Sequence, residues 1–319
     1  MEPIRHVASL SVTVCLVLCT IFDSQTIAQN TKPKAPPTGV IDHVTVPLLI
    51  DRIRPYIDVT FHLANGSRRN ARFLVDSGGG GFLLSEPLAR DIGLHWGAII
   101  HDPEEGDYAN PDSPPSAFVG EFPLELNPKR VLVMIGHDTF LPGHAEGLFP
   151  GHLLSRYHVV FDYPKETFTL ALPGVLTPKG DMLPMPVSSP SGFPRTEIEV
   201  AGVKYGLLID TGASFTMVSE VLLKSWGKDH NDWPRYPGAY GEAKTLGGAV
   251  METMFVPEGL WGTHQLKELG VVSEPEGTFE KYMSGMMTAP IIGSLAGNVL
   301  RHYRVELDYP NEKLYISEP

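Results

Sequence analysis

Apolar and polar positions alternate along "YIDVTFHL", residues 56–63, and this period of two predicts a strand with one buried face. The next stretch, "ANGSRRN", carries Asn65-Gly66, a dipeptide suited to a tight hairpin turn, and the apolar run "RFLV" at 72–75 predicts the returning strand. The same pattern recurs as "TEIEV" at 196–200, a short turn through "AGVK", and "YGLLI" at 205–209. Each hairpin runs straight into Asp, a hydroxyl residue and Gly, and then into a second apolar run ending in Ser-Glu. Ser85-Glu86 and Ser219-Glu220 are therefore predicted to open short helices whose first amides the Ser side chain caps.

The recurrence is a repeat. "ARFLVDSGGGGFLLSEPLAR" from Ala71 returns 134 residues on as "YGLLIDTGASFTMVSEVLLK". A second block, "GHLLSRYHVVFDYPKETFTL" from Gly151, returns 146 residues on as "GNVLRHYRVELDYPNEKLYI" from Gly297. Two blocks recurring in the same order define a duplicated module, and the period is far too long for a solenoid. The expected organisation is residues 1–28 a signal peptide, 29–42 a Pro-rich tether, 43–185 a first lobe, 186–194 a linker, and 195–319 a second lobe. The stretch 101–115, acidic and rich in turn formers, is expected to be a long mobile loop, with 241–254 as its counterpart. Tyr108 in the first loop and the region of Leu246 in the second are candidate flap tips.

Composition adds the class and the compartment. The 319 residues, 42% apolar and 19% charged, are those of a globular chain, and 32 Gly with 29 Pro favour short strands and turns over long helices. Early Arg5, the apolar run 7–22 and the small Ala28 before Gln29 read as a secretory signal, which implies a secreted or periplasmic protein, or a membrane-anchored one if the segment is retained. Both cysteines, Cys15 and Cys19, fall inside that signal, so the mature chain is expected to have no disulfide, cysteine nucleophile or cysteine metal site. A formal charge of −12 without a Lys/Arg run argues against nucleic-acid partners.

An Asp that leaves an apolar strand and is followed by Gly places a carboxylate at the edge of a packed sheet, where backbone amides can approach it closely. Two such groups brought together by a pseudo-two-fold axis repel when both are ionised, so the pair retains one proton. The charged member can then take a proton from water while the protonated member donates to a carbonyl oxygen. On these residues, "LLIDTGASFTMVS" resembles the active-site block of the retropepsin and pepsin clan of aspartic proteases, and "FLVDSGGGGFLLS" resembles a looser copy of it. "IIG" at 291–293 is similar to the clan's later strand segment. The resemblance implies a mainly β fold of two related β-barrel-like lobes with a cleft between them. It implies Asp76 and Asp210 as the catalytic pair, Ser77 and Thr211 locking the two loops together, and Gly78 and Gly212 admitting backbone to the carboxylates. A monomeric aspartic endopeptidase acting on peptide or protein substrates, without metal or organic cofactor, is the implied activity. The sequence departs from the pattern where Pro150 stands in place of Gly, in the Gly run after Ser77, and in extra residues between Gly293 and Leu300.

Other motifs point elsewhere less well. Asp162 and Asp308 each precede Tyr-Pro, where turn formation accounts for them. His137, His144, His152 and His158 have no metal-ligand spacing. The Gly run lacks the Lys-Ser/Thr of a phosphate loop, and no G-x-S-x-G is present. Two rival readings stay open: a catalytically inactive protease-like peptide-binding protein, and a homodimer that uses only the second lobes.

Overall fold

The computed structural model describes residues 41–102, 106–136, 141–236, 253–267 and 269–319. The signal segment 1–28, most of the tether, His137 and Leu246 lie outside the described residues. The chain is mainly β, in three sheets.

Both expected hairpins form. Strand Arg54–His62 pairs antiparallel with Arg68–Asp76, and Gly66 takes the positive φ of 83° that the turn needs. Arg195–Val200 pairs with Val203–Ile209, and the turn is tighter than the four-residue "AGVK" because Ala201 and Gly202 alone make it, both at positive φ. Ser85 caps helix Glu86–Asp91 by accepting from the Leu88 amide, and Ser219 caps Glu220–Asp229 by accepting from Val221.

These elements sit at matching places in two sheets. The first orders its strands Ile100–Asp102, Gly106–Ala109, Val131–Met134, Phe82–Ser85, Gly147–Pro150, Arg68–Asp76, Arg54–His62, Ala117–Val119 and Phe122–Pro123, with Leu49–Asp51 beside Arg54–His62. The second orders Arg235–Tyr236, Thr253–Phe255, Gly270–Glu274, Thr216–Ser219, Gly293–Leu295, Val203–Ile209, Arg195–Val200, Gly259–Trp261 and His264–Gln265. Position for position, the second order repeats the first. The parallel pairs also coincide: Phe82–Ser85 with Val131–Met134 matches Thr216–Ser219 with Gly270–Glu274. The sheets are open, which corrects the barrel-like expectation: the short strands at the ends of each order, two or three residues long, do not pair with each other.

The second sequence repeat builds the third sheet, of order His43–Pro47, Thr167–Ala171, His158–Asp162, Arg304–Asp308, Lys313–Ser317 and Asp181–Pro184. The order is the same read from either end, once each strand is exchanged for its repeat. At its centre His158 faces Asp308, Val160 faces Glu306 and Asp162 faces Arg304, so each residue opposes the partner that a two-fold axis through Val160 and Glu306 demands. The axis is imperfect in chemistry. Glu306, buried, accepts from His158 Nε2 at 2.7 Å and pairs with Arg304; burial raises its pKa, but these partners hold it below the ordinary carboxylate range. Asp181–Pro184 joins the second half's last strand just as His43–Pro47 joins the first half's. The segment 186–194 is itself folded, with a bridge between Val187 and Pro194 and with Ser191 and Phe193 buried.

The stretch 101–115 differs from the mobile loop expected. Ile100–Asp102 and Gly106–Ala109 form a hairpin, and Tyr108 is buried beside Leu83, Leu132 and Met134, which rules it out as an exposed flap tip. An aromatic ring on a strand between two apolar neighbours gains more from burial than from solvent.

Candidate functional site

Two strands deliver the two aspartates. Arg68–Asp76 and Val203–Ile209 run through the centres of their sheets, each buried over its last residues, so the chain reaches Asp76 and Asp210 from packed strand ends. Both carboxyl groups are buried, Asp76 at 1% exposure and Asp210 at 7%. Isolated, either one would be costly to keep charged there.

The loops after the aspartates interlock. The Ser77 amide donates to Thr211 Oγ1 and the Thr211 amide donates to Ser77 Oγ, both at 3.0 Å. Ser77 Oγ in turn donates to the Ile209 carbonyl at 2.6 Å, and Thr211 Oγ1 donates to the Val75 carbonyl at 2.7 Å. Each hydroxyl thus accepts from the opposite loop and donates to the opposite strand, and all four bonds are buried. Only a small residue with both donor and acceptor on one oxygen can do this, which is why Ser and Thr stand there.

Each loop also folds back on its own carboxylate. Asp76 Oδ1 accepts from the Gly78 amide at 2.9 Å, and Asp210 Oδ1 accepts from the Ala213 amide at 3.1 Å. The glycines face across the interface: a Cβ on Gly212 would lie 2.6 Å from both oxygens of Asp76, and one on Gly78 would lie 3.3 Å from Asp210 Cγ. Each carboxyl group is therefore packed against the other's loop. Burial, and then the charge of Asp76, push the Asp210 pKa up to about 8, against the smaller downward pulls of the Ala213 and Gly212 amides and Arg54. Burial and the like charge of Asp76 thus both favour a protonated Asp210.

No family model and no curated protein matches this chain.

The structure brings together all six residues singled out in the sequence: Asp76, Ser77, Gly78, Asp210, Thr211 and Gly212. It revises the departures. Gly147, three residues before Pro150, is the counterpart of Gly293: Gly147 lies opposite Phe73 as Gly293 lies opposite Leu207, 134 residues on. A Cβ on Gly147 would press on the Leu83 carbonyl at 2.6 Å, and one on Gly293 would press on the carbonyl of Met217, the repeat of Leu83. From each glycine seven steps lead to Leu154 or Leu300, so no residues are inserted after Gly293. Pro150 instead matches Ala296, and both precede a one-turn helix.

Three side chains were not foreseen as part of the site. Arg54 donates from Nε to the Gly212 carbonyl at 2.8 Å. Tyr163 and Tyr309, which open the short 3-10 turns after strands His158–Asp162 and Arg304–Asp308, lie buried near the pair, and burial followed by the charge of Asp210 or Asp76 respectively raises their pKa values. Their recurrence in the second repeat was the available signal, although the Tyr-Pro context suggested only a turn. Asp162 does serve that turn, accepting from the Lys165 amide at 3.2 Å, and Asp308 accepts from Asn311 at 2.8 Å. Of the histidines, His158 pairs with Glu306, His144 sits in a turn at φ 56°, and His152 contacts the Gly80 backbone. Among the described residues no group of three or more His, Cys, Asp or Glu side chains is placed to hold a metal, and no helix is long and apolar enough to cross a membrane.

Proposed function

We propose that this chain is an exported aspartic endopeptidase with the two-lobed fold of the retropepsin and pepsin clan, hydrolysing peptide bonds with water activated by Asp76 and Asp210. The observation that carries the reading is the reciprocal lock of Ser77 and Thr211, which joins two loops whose buried aspartates come from matching strand ends of a duplicated fold. In this mechanism the ionised carboxylate takes a proton from water as its oxygen attacks the peptide carbonyl carbon. The protonated carboxyl gives its proton to the carbonyl oxygen, forming a neutral tetrahedral diol. Collapse of the diol breaks the C–N bond, the amine leaves with a proton, and the pair returns to one proton. No covalent enzyme intermediate forms. The preorganised loop amides and the absence of bulk around Gly78 and Gly212 keep both carboxyls in place throughout.

The interlock within one chain favours Asp76 as a full member of the pair over a homodimer of second lobes. The test is peptide hydrolysis in ¹⁸O-water by the purified chain. One labelled oxygen should enter the new carboxyl group without a burst, a statine-type mimic should inhibit, and Asp210→Asn should lose turnover. Tight peptide binding without hydrolysis in the unmodified protein would select the inactive binding-protein reading.

A further inference from the structure

The loop around Asp210 is held from outside by a second device, the turn that joins Leu49–Asp51 to Arg54–His62. Its two central residues, Arg52 and Ile53, take φ of 49° and 69°. Neither is glycine, and a β-branched residue at positive φ is strained. What keeps it there is contact with the opposite half. Ser214 Oγ donates to the Arg52 carbonyl at 2.6 Å, and Arg54 Nε donates to the Gly212 carbonyl at 2.8 Å. The Ile53 carbonyl packs so close to Gly297 that no Cβ would fit, and the Gly297 amide donates to the Ala213 carbonyl at 3.0 Å. Gly212, Ala213 and Ser214 are thus pinned at three successive residues, and two of them carry the amides that face the aspartates.

We propose that this turn is a clamp on the Asp210 loop and that Arg54 is its positioning residue, fixing the Gly212 peptide so that Asp210 meets Asp76 in working geometry. The proposal rests on the aspartic-pair reading for its catalytic consequence but not for its structural one. A planar guanidinium bonded through Nε sets the direction of the carbonyl it binds, which a lysine ammonium does not. Its charge also faces Asp210, whose other charged or titratable neighbours are Asp76 and Tyr163; Arg54 stands with Asp51, Arg52 and Arg72 among the charged groups that act on Tyr56. The first half has a support of its own. There Arg130 reaches the Gly80 carbonyl at 3.4 Å and the Pro190 carbonyl at 2.5 Å, tying the Asp76 loop to the folded segment 186–194.

The full chain with Arg54→Gln and with Arg54→Lys tests this by carboxyl ¹³C titration, by hydrogen exchange across residues 210–216, and by turnover. Arg54→Gln is expected to move the upper titration step of the pair to higher pH, because a cation facing Asp210 is lost, and to speed local exchange about tenfold. It should lower kcat about tenfold or more while KM stays within about twofold. Arg54→Lys should restore the titration step and leave exchange fast. Unchanged titration and exchange in Arg54→Gln would overturn the proposal whether or not the protein hydrolyses peptides. A total lack of hydrolysis with altered titration would instead remove the protease reading alone. If Arg54→Gln does not fold, Arg54→Lys decides by exchange: wild-type protection there contradicts the clamp.

Discussion

The loops that carry Asp76 and Asp210 perform the same task with different material. The first runs Ser-Gly-Gly-Gly-Gly and is wholly buried; the second runs Thr-Gly-Ala-Ser and is partly open at Gly212 and Ala213. Four glycines in a row would cost much backbone entropy to order. The first loop offsets this by burial, by Gly151 donating to the Gly79 carbonyl at 3.0 Å, and by Arg130 and His152 at Gly80. Burial and the nearby Arg130 charge push the His152 pKa down to about 3, so it serves as a neutral donor there. At the repeat position of His152 the second half has Asn298, which accepts from the Thr216 amide at 2.8 Å and donates to the Gly270 carbonyl at 2.9 Å. The second loop needs less internal support and receives the strained turn at Arg52 and Ile53 instead. Matching halves of the candidate site therefore do not require matching scaffolding: the first loop is held by Gly151, Arg130 and His152, the second by a turn of the opposite half.

Replacing either aspartate by Asn should have the largest effect, a fall in turnover of about 10²- to 10⁴-fold with the fold intact. If the loops are equal partners, Asp76→Asn and Asp210→Asn fall alike; retained activity in Asp76→Asn alone would make the first loop structural. Next comes pH. With Asp210 raised to about 8, activity measured as kcat/KM should fall roughly tenfold per unit above that point, as the shared proton is lost. Stability follows the same sign. The folded state holds this proton more tightly than the unfolded chain, so the contribution is complete below the ordinary carboxylate value of 3.8 and is lost as pH rises through about 8. Denaturant midpoints across that range would show it.

Smaller effects distinguish the loops. Gly212→Ala drives a methyl group into the Asp76 carboxyl and should cost about 1–3 kcal/mol, whereas Gly78→Ala, with 3.3 Å to Asp210 Cγ, should cost less. Equal costs from urea unfolding would contradict the asymmetric packing. Ser77→Ala and Thr211→Val each strip one hydroxyl from the lock and strand a buried amide and carbonyl, about 1–3 kcal/mol apiece. Their double mutant should lose less than the sum, because the bonds are reciprocal.

Much of this arrangement was legible in the residues. Period-two alternation gave the hairpins, Ser before Glu gave both helix starts, and the Asp repeat gave the pair. What failed was local spacing read without pairing. Gly147 was hidden because "GLFPG" offers a nearer glycine at 151, and only the register against Phe73 shows which one faces the strand. Tyr108 looked like a loop residue because acidic and turn-forming neighbours surround it, while the strands that bury it come from residues 82–85 and 131–134. Arg54 carries no motif at all; its role arises from a contact 158 residues away.

The proposed mechanism requires Asp76 and Asp210, both buried, to share one proton. Carboxyl ¹³C NMR of the labelled chain, titrated from acid to above neutral pH, measures this directly. Two well-separated steps that both carboxyls report are expected, the upper one far above the ordinary carboxylate range and moved down in Asp76→Asn. Two independent titrations near the ordinary value, unaffected by that substitution, would contradict it.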